Sequence, residues 1–451
     1  MAIKNTNFSP MEIHNFFTDA KQIFFIGVGG VSMSSLATYT RYMGKDVYGY
    51  DSKRTKITKK LEGLCKITYK STPDNIEGMD LVVYTGAIDE DNFEYKHAKK
   101  RGIPLVSRAN FLGYVVSKYK RRIGVCGMHG KSTTTAMLEE IFTKSGRCPT
   151  VFCGAEMKST GSCSVIGKEN VCIFEACEYL DSFLCLCPTD AGVLNIDSEH
   201  LDYFKSTDEI IKSFNKFVKN AQSVYINADD PLSRSISHKS IITYGIENKA
   251  DYMAEILSPD SYIVYYKGAP LVQCQLLLCG KHYIYDSLCA FAIAHSCGIA
   301  PTVISNALKG FKGVKRRMDY LGKTDTGVDI FEDYAHHPNE IKCTLNSLYQ
   351  SGKNNILCVF QPHTYSRTVS LYDEFCSSFK GVGNLIILPT FSAREENIYG
   401  LSEEQFAKDC GGNLIKSTRE VVEIIHTTKS DLVLLLGAGD LCGIKEALFK
   451  Q

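Results

Sequence analysis

Nowhere in the chain do about 18 apolar residues run together, and the stretch from Met1 to Gln22 carries charges without a long apolar block. A membrane-spanning helix and a secretory signal both need such a run, so neither is expected. Charge of one sign is equally scarce: 51 Lys and Arg stand against 50 Asp and Glu. So balanced a field selects neither nucleic acid nor an acidic membrane, and any anion must be held by local groups. Paired C-x-x-C spacing for zinc or dithiol chemistry is missing as well. The 18 cysteines are scattered, the closest pair being Cys185 and Cys187, and Cys126, Cys172 and Cys358 lie inside apolar runs. They read as small, reduced core residues of a cytoplasmic protein. At 451 residues the length fits about three domains.

What the sequence does have is Arg122-Ile-Gly-Val-Cys-Gly-Met-His-Gly-Lys-Ser-Thr-Thr-Thr135, a β-branched run that breaks into glycines, a lysine and hydroxyl residues. This pattern predicts a strand, a phosphate loop and a helix start. Glycines let successive backbone N–H groups close round a polyphosphate, Lys131 supplies a point charge, and Ser132 offers a hydroxyl to Mg²⁺. Val125 stands where the common phosphate loop begins with glycine, which leaves the tighter Gly127-x-x-Gly130-Lys131-Ser132. The helix is expected to end at Ser145-Gly146. Val171 to Phe174 reads as a buried strand delivering Glu175, an acid placed to hold Mg²⁺ beside the loop hydroxyl. Ala191 to Ile196 reads as the next strand. Asp197, Glu199, His200 and Asp202 follow it, either as ligands or as a polar surface loop.

Ahead of this lies a β-α-β start. Ile23 to Ile26 is a strand, Gly27-Val-Gly-Gly30 a turn into a helix, and Val47 to Asp51 the next strand. Ser32 replaces the third glycine of a dinucleotide fingerprint, and Asp51 falls where a ribose-binding acid is expected. Strands at 81–84, before Thr85, and 104–107, ending on Ser107, continue the alternation to about residue 119. Lys118, Lys120 and Arg121 there suggest a solvated linker. The second unit, 120–313, carries short alternating strands with Pro-Asp and Lys-Gly turns between Ala250 and Leu278, an antiparallel insert, then helices over 280–298 and 301–311. The third, 314–451, alternates helices with strands at 328–331, 356–360, 385–388 and 432–436. Polar clusters follow each of those strands: Asp333 to Pro338, Gln361 to Arg367, Ser392 to Glu396 and Gly437 to Asp440. Ligands of open α/β sheets gather at such strand ends.

Together these motifs resemble the Mur ligases. The resemblance rests on Gly27-Val-Gly-Gly-Val-Ser-Met33-Ser34, Gly127-Met-His-Gly-Lys-Ser-Thr-Thr134, Phe174-Glu-Ala-Cys-Glu-Tyr179 and Asn195-Ile-Asp-Ser-Glu-His200-Leu-Asp202. It continues through Gly313-Val-Lys-Arg-Arg317, Asp333-Tyr-Ala-His-His-Pro338, Phe360-Gln-Pro-His363 with Tyr365-Ser-Arg367, and Gly437-Ala-Gly-Asp440. It implies an α/β protein of three domains: a Rossmann-like UDP-sugar domain, a central phosphate-loop ATPase domain, and a Rossmann-like C-terminal domain that closes over both. It also implies ATP and Mg²⁺ as cofactors, UDP-N-acetylmuramic acid and L-alanine as partners, and a monomer or weak homodimer.

The resemblance assigns the UDP-sugar to Gly27, Gly29, Gly30, Ser32, Asp51, Thr85, Ser107 and His129. ATP falls to Gly127, Met128, His129, Gly130, Lys131, Ser132, Thr133, His282, Arg317 and Asp333. The metal falls to Ser132, Glu175 and His200, and the amino acid to Tyr334, His336, His363 and Arg367. Lys131, Glu175, His200, Arg317, His336 and Arg367 are the residues expected to carry catalysis. The chain departs from the family at Met128, usually Thr, and at Tyr283 and Asp286, where the helix start Gly-x-His-Asn-x-x-Asn has asparagines. Thr364 stands for a usual Arg and Arg394 for a usual Gly. A tripeptide-recycling relative is the nearest alternative. An NAD(P) oxidoreductase, suggested by the first glycine loop, leaves the second loop, Glu175 and His200 without a role. A nucleotide-binding sensor that performs no ligation is the third.

Overall fold

In a computed structural model the described residues are 6, 8–197, 203–393, 395–439 and 441–449. They form three sheets. The first is built from β1 (Gln22–Ile26), β2 (Asp46–Tyr50), β3 (Lys66–Thr68), β4 (Leu81–Tyr84) and β5 (Leu105–Ser107), all parallel in the order β3-β2-β1-β4-β5. All four residues of β4 are buried, as expected for a parallel strand covered on both faces.

The second sheet contains β6 (Arg121–Cys126), β7 (Thr150–Met157), β8 (Ser162–Val165), β9 (Val171–Glu175) and β10 (Asp190–Val193). It continues with β11 (Ser223–Asn227), β12 (Ile241–Gly245), β13 (Tyr252–Ser258), β14 (Ser261–Tyr266) and β15 (Ala269–Gln275). Its order is β15-β14-β13-β12-β11-β10-β6-β9-β7-β8. Because β10, β6 and β9 are parallel neighbours, the loops leaving their carboxyl ends emerge side by side. The expected insert does not stand apart from this sheet: β13 pairs with β12 in parallel and extends it. Lys267 and Gly268, at φ 50° and 84°, make the tight turn between β14 and β15. Arg121, expected in a solvated linker, is instead the first residue of β6, and its guanidinium pairs with the buried Asp190 carboxylate at 3.0 Å.

The third sheet consists of β16 (Asp319–Lys323), β17 (Asp329–Asp333), β18 (Ile356–Phe360), β19 (Asn384–Ile387), β20 (Asn413–Leu414) and β21 (Leu432–Leu436). Its order is β16-β17-β21-β18-β19-β20, parallel except for the edge strand β16. Alternate residues of its central strands enter two cores. Cys358, Phe360, Leu434 and Leu436 face one, and Leu357, Val359, Val433 and Leu435 face the other.

The chain divides into two compact units. Residues 1–255, 262–275 and 285–311 make the first, which holds the first sheet and most of the second; 256–261, 276–284 and 312–451 make the second. Within the first, Phe17, Val115 and Val116 join Phe152, Phe174 and Phe183 in one buried cluster. No helix among the described residues is long and apolar enough to cross a membrane.

Candidate active site

In the first glycine loop Gly27 takes φ 80°, which lets its N–H and that of Val28 both donate to the Tyr50 carbonyl at 2.8 and 3.0 Å. A Cβ on Gly27 would meet the Thr85 methyl at 2.5 Å, so the two expected UDP-sugar residues are neighbours. The Asp51 carboxylate accepts the N–H of Gly29 at 2.8 Å and of Lys53 at 3.2 Å, which makes it a brace for the loop. Gly30 caps the helix Val31–Tyr42 without a side-chain bond, leaving that helix end open to an anion. Ser107 accepts the Asn110 N–H as the cap of the helix Arg108–Ser117, so its hydroxyl is already engaged. Arg108, which the sequence did not single out, donates to the Ser32 hydroxyl at 3.3 Å and makes no ion pair among the described residues.

The phosphate loop forms as the spacing predicts. Gly127 and Gly130 take φ 136° and 84°, and the helix Lys131–Lys144 starts from Gly130 with no side-chain cap. A Cβ on Gly130 would collide with the Asp286 carboxylate, one of the family departures. The strand expected over 191–196 stops at Val193, because Asn195 folds back to staple the loop. Its Oδ1 accepts the His129 N–H at 2.9 Å, its Nδ2 donates to the His129 carbonyl at 3.1 Å, and its own carbonyl accepts the Met128 N–H at 3.3 Å. Thr133 is buried.

Ser132 Oγ donates to Glu175 Oε2 at 2.7 Å, and the Gly154 N–H meets the same oxygen at 2.7 Å. Any side chain at Gly154 would strike that carboxylate. A hydroxyl and a carboxylate held together are hard oxygen donors of the kind Mg²⁺ takes alongside water and phosphate, so the pair fits that ion. Among the described residues no three His, Cys, Asp or Glu side chains converge on a metal position; His200 lies outside the described residues, as do Arg394 and Asp440. Lys131 Nζ lies 3.2 and 3.0 Å from the two oxygens of Glu178, a residue only 1 % exposed. Burial works against the Lys131 ammonium, but Glu178, Cys177 and Glu175 outweigh it and hold its pKa above the ordinary lysine value. The sequence marks Glu178 only as a second acid three residues past Glu175.

In the second unit Arg316 and Met318 take left-handed backbone on either side of Arg317, at φ 60° and 43°. Arg316 clasps Glu332 at 2.9 Å and the carbonyls of Gly437 and Gly439 at 2.7 and 3.0 Å. Arg317 Nη1 meets Glu340 Oε1 at 3.2 Å; burial opposes its charge, and Glu340 and Asp333 more than restore it. Both guanidinium groups lie over the Tyr334 ring, at 4.8 and 5.4 Å. Asp333 accepts the N–H groups of Met318 and Ala335, each at 2.8 Å, while burial raises its pKa.

Glu340, also unassigned from sequence, accepts the His336 N–H at 3.1 Å and faces His336 Nδ1 at 3.2 Å. Burial pushes His336 down to about 3 and His282, with help from Arg317, to about 4, so both rings are neutral. The His336 and His363 ring centroids lie 6.0 Å apart, and Arg367 Nη1 approaches His363 Nδ1 at 3.5 Å. Tyr334, His336, His363 and Arg367 are thus brought together. Glu395 fixes the helix carrying Arg367 by accepting the Ser366 N–H at 2.9 Å and hydroxyl at 2.6 Å.

A phosphate loop at the ends of three parallel strands, with Ser132 and Glu175 in contact, defines a nucleotide-binding α/β protein. Three family models cover the chain: the Mur ligase family catalytic domain over residues 22–120, the Mur ligase middle domain over 125–294, and the Mur ligase glutamate ligase domain over 316–439. The chain belongs to the Mur ligase family. It is 38 % identical over 450 residues to the UDP-N-acetylmuramate–L-alanine ligase of Caldanaerobacter subterraneus, covering 96 % of this chain and 98 % of that one. The enzyme of the same name from Clostridium acetobutylicum is also 38 % identical, with the same coverage. The crystal structure of UDP-N-acetylmuramate-alanine ligase from Thermotoga maritima matches with a TM-score of 0.83 at 25 % identity, over 95 % of this chain and 98 % of that chain.

Proposed function

We propose that this chain is an ATP-dependent ligase that joins the amine of L-alanine to the carboxylate of UDP-N-acetylmuramic acid in peptidoglycan precursor synthesis. What carries this reading is the convergence of Lys131, Ser132 and Glu175 in a chain that matches an L-alanine ligase over 96 % of its length. A carboxylate is a poor electrophile. Transfer of the γ-phosphoryl group of ATP to one of its oxygens releases ADP and leaves an acyl phosphate. The amine then bonds to the acyl carbon, inorganic phosphate departs, and the nitrogen loses its proton. Several anionic oxygens meet in these steps. The backbone of Gly127 to Gly130 cradles the polyphosphate, Lys131 and Arg317 offset its charge, and His282 with Asp333 completes the ATP contacts. Mg²⁺, held by Ser132 and Glu175 and with His200 as a further ligand, would supply additional charge neutralisation when bound. Tyr334, His336, His363 and Arg367 receive the amino acid, the Arg367 fork matching its α-carboxylate.

The domains run 1–119 for the UDP-sugar, 120–313 for ATP and 314–451 for the amino acid, in a cytoplasmic monomer or weak homodimer. The test is phosphate release by the purified protein. It should require ATP, UDP-N-acetylmuramic acid and L-alanine together. Release with a tripeptide in place of L-alanine would transfer the chain to the recycling ligases, and release independent of the sugar nucleotide would remove it from both.

The first loop yields a sharper expectation. A Cβ on Gly29 would lie 2.7 Å from Asp51 Oδ2 and 2.8 Å from the Thr58 methyl, where nothing can yield without opening the loop. Gly29→Val should therefore weaken UDP-N-acetylmuramic acid binding about tenfold or more, ~1.4 kcal/mol, as read by calorimetry. Unchanged affinity would move the diphosphate away from this loop.

A further inference from the structure

Lys131 already has more acceptors than it has protons to donate. Its ammonium meets the carbonyls of Gly127 at 2.5 Å and Met128 at 3.0 Å as well as both Glu178 oxygens. An ammonium has three donors, so a phosphate oxygen can gain one only by displacing an acceptor already there. The two carbonyls belong to the cradle itself. Glu178 does not: it follows β9 and carries the same sign of charge as the phosphates. Its segment is held firmly. Leu180 and Asp181, just beyond it, take left-handed backbone at φ 54° and 53°, a conformation that persists in non-glycine residues only where the surroundings enforce it. The Asp181 carboxylate supplies that enforcement by accepting the hydroxyls of Tyr203, at 2.8 Å, and Ser213. At 1 % exposure for Glu178 and 12 % for Lys131, little water screens the pair.

We propose that Glu178 is a positioning residue that parks Lys131 and competes with the nucleotide's phosphates for it. Nucleotide affinity is then set by the contest of two anions for one ammonium, and the carboxylate makes resting affinity weaker than the loop alone would give. This rests on the role given to Lys131 above. Unlike a purely structural role for Glu178, it predicts that removing a buried charge improves binding.

Calorimetry on the full chain with Mg²⁺ and a non-hydrolysable ATP analogue, its β,γ-bridging oxygen replaced by NH, tests this in four proteins: the parent, Glu178→Gln, Lys131→Ala and the double variant. Glu178→Gln, nearly isosteric, should bind the analogue about fivefold tighter or more. In the Lys131→Ala background the same change should add nothing, because the competition has lost its object. Glu178→Asp, which keeps the charge but withdraws it by one methylene, should tighten binding by a smaller factor, and it decides the matter should Glu178→Gln fail to fold. Unchanged or weaker binding in a folded Glu178 variant overturns the proposal, as does a gain that persists without Lys131. If Lys131→Ala itself binds the analogue like the parent, the assignment of Lys131 falls, and with it the phosphate-loop reading rather than the parking role alone.

Discussion

Lys131→Ala is expected to lower kcat/KM for ATP by about a hundredfold or more, ~3 kcal/mol of lost transition-state stabilisation, measured as steady-state phosphate release. Among the described residues it is the lysine whose ammonium lies on the loop carbonyls of Gly127 and Met128, so no neighbouring side chain substitutes for it. From spacing alone the fold should be indifferent to this change. The structure reverses that expectation, because the substitution strands Glu178 with its charge buried and no cation beside it. Removing one partner of a buried pair destabilises by about 3 kcal/mol or more, so the thermal midpoint should fall together with activity. Adding Glu178→Gln to Lys131→Ala should restore most of the midpoint and none of the turnover. Near-parental turnover in either variant would refute the role given to Lys131.

Acidification from pH 7 to pH 5 is expected to remove about 4 kcal/mol from the stability of the second unit, about 2 from each of two histidines. His282 and His336 are held neutral in the fold, down to about 4 and about 3 respectively, chiefly by burial. In the unfolded chain both titrate near the ordinary histidine value of about 6.5. Their contribution is therefore complete above that value. It drains away as pH falls below it, because the unfolded state binds protons that the folded state refuses. His363, lowered by burial and by Arg367, acts in the same direction. Asp333, raised by burial, acts in the opposite one. Urea unfolding followed by circular dichroism at the two pH values measures the loss. A stability that stays level between them would mean that these rings are protonated or solvated in the native protein.

Much of the sheet architecture is legible because parallel strands covered on both faces leave unbroken apolar runs, as in 23–26, 81–84, 356–360 and 432–436. Elsewhere the same signal misleads. Leu194, Asn195 and Ile196 look like a continuation of β10, yet the Asn195 amide is worth more as a staple across the phosphate loop than as a strand residue. β7 is hard to see because Gly154 interrupts it, and that glycine is required by the Glu175 carboxylate lying against its Cα. For the site, residue types and order locate Lys131, Ser132 and Glu175, and the chemistry of a hydroxyl beside an acid is readable from them. Which groups neutralise one another is not. Asp51 spends its oxygens on loop amides, Glu178 takes Lys131, and Glu340 joins Arg317 to His336; each pairing links positions distant in sequence or depends on how a loop turns.

One small contact restricts how this protein can be rearranged. Gly113, in the helix Arg108–Ser117, lies so close to the Cys185 carbonyl that a Cβ there would overlap it, and the apolar residues of that helix share a core with those around β9. Tyr119 reaches across to the Thr150 hydroxyl at 2.9 Å at the same seam. The amino-terminal sheet is consequently a poor unit for recombination. A chimera joined just after Tyr119 would set a helix face shaped around one particular carbonyl against a foreign surface, and would bare Val115 and Val116 wherever the two failed to mesh.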